Sequence, residues 1–143
     1  MPASAAVVFR DGPDGREVLL VRRGEDRRFA GGFHAFPGGR LDPADAEVPV
    51  AGLAGEEAAH LVCAVRELFE ETGILVLRGA ERVPGPARDE SRRDLLEGRT
   101  SFAGVLARHG LALDRAALAP AGRWVTPPWL PVRFDARFFL VRL

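Results

Sequence analysis

Lysine is absent from this sequence, cysteine occurs once, and neither sign of charge is in excess: twenty arginines stand against twenty Asp plus Glu over 143 residues. A net charge of zero leaves no basic footprint of the kind a nucleic-acid binder carries. The single Cys63 excludes an internal disulfide and fits a reducing compartment, so a cytoplasmic location is expected. No basic region precedes the short apolar run at the N-terminus, and no apolar run approaches membrane length. The use of Arg at every basic position is a compositional habit rather than a functional signal. What is present is 47% hydrophobic residues, enough for one domain with a sizeable core. No break in composition divides the chain.

The most informative stretch is Arg66-Glu67-Leu68-Phe69-Glu70-Glu71-Thr72-Gly73-Ile74. A helix over 56–72 places Ala58, Leu61, Val62, Val65, Leu68, Phe69 and Thr72 on one face and Glu67, Glu70 and Glu71 on the other. Like charges at i, i+3 and i+4 weaken a helix by roughly 0.2–0.5 kcal/mol per pair. These three also stand in the last turns before Gly73, a helix stop, where the dipole disfavours anions. Arg66 can offset part of this through Glu70 at i+4, but one cation does not neutralise three anions. A hard divalent cation on carboxylate oxygens would. The plain alternative is a solvated acidic face.

Around that helix, 5–9 and 17–21 read as two strands of a hairpin across the turn-rich Asp11-Gly12-Pro13-Asp14-Gly15. Arg22, Arg23, Arg27 and Arg28 cluster about Glu25-Asp26 ahead of a flexible loop over 29–33. Arg suits bidentate phosphate contacts, which makes Arg22 and Arg23 candidate substrate-binding residues. A short strand over 33–36 leads into Pro37-Gly38-Gly39, whose glycines permit close approaches that side chains would block. Residues 42–55, with Pro49, Gly52 and Gly55, read as a surface excursion. His60 is expected to be packed or solvated rather than a ligand, because it stands about 10 Å along the helix from Glu67. A thiolate at Cys63 is disfavoured beside carboxylates. Beyond the helix, 74–77 reads as a strand, 82–88 as a loop and 91–109 as one helix with Gly98 a weak point and Leu95, Leu96, Phe102, Val105 and Leu106 inward. The last strands are 123–125 and 134–141, with Pro127, Pro128 and Pro131 opposing regular pairing between them.

Gly39, Asp45, Arg66-Glu67-Leu68, Glu70-Glu71 and Gly73-Ile74 resemble the signature of the Nudix hydrolases: Gly, five residues, Glu, seven residues, Arg-Glu-aliphatic, any, Glu-Glu, any, Gly-aliphatic. The second half matches at every defined position. In the first half Asp45 replaces Glu, and 20 residues rather than seven separate it from Arg66. An insertion over about 46–58 accounts for the difference and leaves the carboxylate face intact; Glu56 or Glu57 could take the place of Asp45. An insertion here, with Trp124-Val125-Thr126-Pro127 and 133–139, is similar to the branch that includes the coenzyme A diphosphatase of eukaryotic peroxisomes.

The resemblance implies a single Nudix domain over 1–143, an α/β/α sandwich with a mixed sheet. It implies hydrolysis of a nucleoside diphosphate linked to another moiety, with Mg2+ or Mn2+. Glu67, Glu70, Glu71 and the Gly39 carbonyl would hold the metal, and Arg66 would orient the glutamates. The expected partner is a small nucleoside diphosphate derivative, such as coenzyme A or a relative of it, with no nucleic acid and no membrane; a homodimer stays open. In that fold a helix normally follows the last strand, so the resemblance implies a C-terminally incomplete chain lacking that helix and an acidic residue that often completes the metal site. The rival function is a Nudix-fold module that binds a nucleotide without cleaving it.

Overall fold

A computed structural model describes residues 1–22, 24 and 32–143. The chain is organised around strand β1, Pro2–Gly12, which is long enough to hold three partners. The turn at Pro13-Asp14 folds β2, Gly15–Val18, back onto its far end, with Gly12 opposite Gly15. Strand β3, Val21–Arg22, pairs with β4, His34–Ala35, in a separate two-stranded ribbon. Strand β5, Gly38–Arg40, lies antiparallel on the first residues of β1, with Ser4 opposite Gly39. Of the loop expected over 29–33, residues 29–31 lie outside those described, as do Glu25, Asp26, Arg27 and Arg28 of the expected charge cluster.

After β5 the chain makes a 3-10 turn, Pro43–Glu47, and a two-residue strand β6, Val50–Ala51. This corrects the reading of 42–55 as a surface excursion, since Asp45, Val48 and Val50 are all buried. The prolines and glycines here shape a wrap along the following helix, and its apolar residues join the core.

Helix α1, Gly55–Thr72, follows. Glu56 and Glu57 in its first turn complement the dipole, and Gly73 ends it at φ 76°, its N–H donating to the Phe69 carbonyl at 2.8 Å. The expected apolar face is buried, and so are Ala59, His60, Cys63 and Ala64. The middle of α1 is therefore enclosed on all sides, as the wrap covers a flank that periodicity alone assigns to solvent. Full burial of side chains such as Leu68 and Phe69 stabilises the domain by about 1.5–3 kcal/mol each.

Residues 74–77 form no strand. Leu75 and Leu77 are buried in alternation, as a strand would require, but no neighbouring backbone among the described residues ladders with them. Next come a 3-10 turn, Ala80–Arg82, and helix α2, Gly85–Leu96, so 82–88 is not simply a loop. Pro86 stands in the first helical turn, where its missing N–H goes unneeded. The single helix expected over 91–109 is two. Gly98 at φ +69° breaks it, and Ser101 caps α3, Phe102–His109, by accepting from the Gly104 N–H. Leu96, expected inward, is 56% exposed at that break.

Strand β7, Leu113–Asp114, pairs in parallel with β6. Strands β8, Ala119–Val125, and β9, Asp135–Arg142, then pair antiparallel, with a register shift between Pro120 and Gly122. The expected obstruction to pairing does not arise, because Pro127, Pro128 and Pro131 all fall in the connection, outside the ladder. Strand β9 runs parallel to β1 over its length, giving the order β2-β1-β9-β8 with β5 also on β1. The architecture is α/β with a mixed sheet. The core lies between one sheet face, Ala6, Val8, Phe139 and Val141, and the buried residues of α1 and α3.

Candidate metal and diphosphate site

The carboxylates of α1 are gathered where the helix passes β5. Arg66 is the hub. Its Nε and Nη2 donate to Asp45 at 2.8 and 3.0 Å, its Nη1 donates to Glu67 at 2.8 Å and Glu70 at 3.2 Å, and Nη2 also donates to the Arg40 carbonyl at 3.0 Å. The guanidinium side chain is only 12% exposed and the Asp45 side chain 1%. Burial alone would weaken its charge, but the Asp45 hydrogen bonds and the nearby Glu67 outweigh that and hold it firmly cationic. Asp45 is held in turn by the Asp42 N–H at 2.9 Å, within a reciprocal cap of the 3-10 turn. Despite the insertion, Asp45, six positions after Gly39, reaches Arg66. Glu56 and Glu57, the alternatives, sit in the first turn of α1, at its other end, and Glu56 accepts from Arg137 at 2.9 Å.

Gly38 and Gly39 are constrained for different reasons. A Cβ on Gly38 would stand 2.5 Å from the Ser4 carbonyl oxygen and 2.8 Å from Ala5 Cα, inside the β1–β5 pairing. A Cβ on Gly39 would fall on the Glu67 carboxylate, 2.6 Å from Oε2. The Gly38 N–H donates to Glu71 Oε2 at 3.2 Å. The glycine pair is therefore a flat floor for two glutamates and belongs to a strand rather than to a bland turn.

Glu67 carries the electrostatic imbalance. Burial pushes its carboxyl up to about 6; Arg66 opposes this, and the charges of Glu70 and Glu71 add to it. Among the described residues no three His, Cys, Asp or Glu side chains are gathered closely enough to enclose a metal ion as they stand. Glu67 and Glu70 turn toward Arg66, and Glu71 toward Gly38. The donor set nevertheless fits a hard divalent cation: every group is a carboxylate or carbonyl oxygen, and a buried carboxylate with a raised pKa is one a dication would relieve.

The structure brings Gly39, Arg66, Glu67, Glu70 and Glu71 together. None of the contacts just described involves Arg22, which is exposed on β3 opposite His34, and Arg23 lies outside the described residues. His60 is packed, as expected: it is buried and shares a 2.9 Å hydrogen bond with Ser4. The Cys63 thiol is pushed up to about 12, first by burial and then by Asp45, so it stays protonated. Sequence reasoning missed Arg92 of α2, whose Nε donates to the Phe69 and Glu70 carbonyls at 3.1 and 2.8 Å and so places a cation on the C-terminal end of α1. No local spacing connects Arg92 to Glu70. A cavity of about 990 Å3 opens past that end and is lined by Thr72–Leu77, by Arg88 and Asp89 of α2, and by the end of β9. It does not include the carboxylates.

The NUDIX domain family model matches residues 1–139. The acyl-coenzyme A diphosphatase NUDT19 of Homo sapiens is 29% identical over 196 aligned positions, covering 97% of this chain and 51% of that protein. Putative nudix hydrolase 7 of Caenorhabditis elegans is 29% identical over 140 positions, covering 96% of this chain and 43% of its own. The chain spans about half the length of these curated relatives. Among solved structures, a NUDIX hydrolase from Alicyclobacillus acidocaldarius matches with a TM-score of 0.83 and 42% identity over 99% of this chain and 69% of that one. Since the family match runs from Met1 to near the end of β9 and the fold agrees with a solved member, this chain belongs to the Nudix family.

Proposed function

We propose that the chain hydrolyses a diphosphate linkage in a nucleoside-diphosphate derivative with Mg2+ or Mn2+, coenzyme A or an acyl-coenzyme A being the first substrates to test. The observation that carries the proposal is Glu67: a buried carboxylate, short of positive charge, set against a glycine floor and beside two further glutamates. The names of the relatives support the substrate class. Glu67, Glu70, Glu71 and the Gly39 carbonyl are the groups that would hold the metal. When bound, the cation supplies positive charge to the diphosphate oxygens and makes water a better nucleophile toward phosphorus.

The chain's own residues do the rest. Arg66 fixes the Glu67 and Glu70 carboxylates through one nitrogen and locks its own position on Asp45 with two others. Glu71 is exposed and accepts from the Gly38 N–H, so of these glutamates it meets solvent most directly. Arg22 and Arg23 are proposed phosphate contacts.

The test is a panel of coenzyme A derivatives, dinucleotides, ADP-sugars and nucleoside triphosphates with Mg2+, using wild type and Glu71→Gln. Phosphate-bearing products from wild type alone support the mechanism. Equal turnover by the variant removes Glu71 from it. Metal binding without turnover on any substrate favours a nucleotide-binding module.

A further inference from the structure

One stripe of α1 is polar and buried at once. His60, Cys63 and Arg66 recur every three residues and all face β1 and β5. His60 Nδ1 bonds Ser4 Oγ at 2.9 Å, with both residues 1% exposed. Cys63 Sγ donates to the Arg40 carbonyl at 3.4 Å and more weakly to the Gly39 carbonyl at 3.8 Å. Arg66 Nη2 donates to the same Arg40 carbonyl at 3.0 Å and to Cys63 Sγ at 3.7 Å. Ser4 is the residue opposite Gly39 in the β1–β5 ladder. These contacts form a seam fastening the helix to the Gly39 and Arg40 carbonyls and to Ser4 across the ladder.

We infer that Cys63 is a positioning residue for the carboxylate site, its thiol tying α1 to the Gly39 and Arg40 carbonyls so that Gly39 keeps the spacing Glu67 requires. The inference rests on the reading of Glu67, Glu70 and Glu71 as metal ligands. Tolerance at Gly39 is small: even a methyl group there would overlap the Glu67 carboxylate. A shift of the strand therefore passes directly to a ligand. Cys63 is also fully enclosed, with no route to a reacting group, so its chemistry is limited to accepting from Arg66 and sharing its one S–H between the two carbonyls. A small apolar filler would occupy the same space and make neither contact.

The experiment compares Cys63→Val, Cys63→Ala and Cys63→Ser in the 143-residue chain. Two readouts are taken: the carbonyl 13C shifts of Gly39 and Arg40 in metal-free protein, and Mn2+ affinity by electron paramagnetic resonance. Ala removes the donor without adding bulk, and Val, larger than Cys by about a methyl group, removes it while keeping the space filled. The expected result is moved carbonyl shifts and about five-fold weaker Mn2+ binding in Val or Ala, with Ser close to wild type on both. Unchanged shifts and affinity in Val or Ala overturn the inference, and so does a Ser variant as impaired as Ala. If wild type binds no Mn2+, the metal reading fails separately, and the carbonyl shifts alone decide for or against Cys63.

Discussion

Gly39→Ala tests the site through the smallest available change. The added Cβ would stand 2.6 Å from Glu67 Oε2, whereas ordinary contacts of a Cβ begin at 3.4 Å. Glu67 must therefore retreat by roughly 1 Å. Its side chain is 14% exposed and is pinned by Arg66 at 2.8 Å, so retreat breaks that hydrogen bond or drags the guanidinium from Asp45. Overpacking of this kind costs about 1–3 kcal/mol, and for a chain of this size 1 kcal/mol lowers Tm by about 3 °C. A displacement near 1 Å at a positioned group costs about 100-fold in kcat. Gly39→Ala is thus expected to lose a few degrees of Tm, most of its Mn2+ affinity and about two orders of magnitude in kcat. Gly38→Ala is the control with the opposite balance. Its Cβ meets backbone at Ser4 and Ala5, which cannot swing aside, so the β1–β5 pairing gives way and stability falls further. Differential scanning fluorimetry, Mn2+ titration and turnover at saturating metal separate the two. Unaltered Mn2+ binding and kcat in folded Gly39→Ala would refute the claim that Glu67 works against this glycine.

Other perturbations reach the same network from different sides. Asp45→Ala strips Arg66 of two charge-assisted hydrogen bonds and takes the carboxylate partner from its buried Nε, with a loss of about 3 kcal/mol expected in urea denaturation; a loss below about 0.5 kcal/mol would contradict the hub role. Glu67 ionises later in the fold, at about 6, than in the unfolded chain, at 4.5. Both states are protonated below that lower value, and as pH rises between the two the unfolded chain ionises first, so metal-free stability falls by roughly 2 kcal/mol; Glu67→Gln should abolish the slope. Arg92→Ala removes two donors from the end of α1 and is expected to cost about 1–2 kcal/mol and to speed amide exchange near Gly73, with unchanged exchange as the contrary result. The buried, protonated Cys63 should resist a thiol-specific disulfide reagent at pH 8 until the chain unfolds, and stoichiometric labelling of native protein within minutes would contradict its placement.

The extent to which the sequence was legible tracks how local each interaction is. The apolar face of α1 follows from helical period and its end at Gly73 from a glycine stop, and both are present. The β1–β2 hairpin follows from five turn-forming residues in a row. Misreadings cluster where a distant partner decides. The wrap over 42–55 has the composition of a surface loop, yet Asp45 is buried because Arg66, 21 positions on, receives it. The 74–77 segment alternates like a strand, but a strand requires a neighbour, which periodicity does not reveal. Gly98 was visible as a weak point in a helix. That it becomes a full break depends on Ser101 capping the next turn, a choice between two conformations of similar local cost.

The same distinction explains why an acidic helix end can exist here at all. Locally, each pair among Glu67, Glu70 and Glu71 weakens α1 by a few tenths of a kcal/mol, and the dipole adds a similar amount. Arg66, between Glu67 and Glu70, offsets part of this from within the helix, and non-local groups add to it: Arg92 on the terminal carbonyls and the Gly38 amide on Glu71. Burial of Leu68 and Phe69 on the opposite face stabilises the helix by several times the local penalty. Yet the offset stops short at Glu67, whose carboxyl remains raised although Arg66 touches it. A purely structural ion network would gain by completing the compensation with a second arginine, a residue this chain uses freely. The deficit persists on the one carboxylate that faces the Gly39 floor, which is where a bound dication would make up the missing charge.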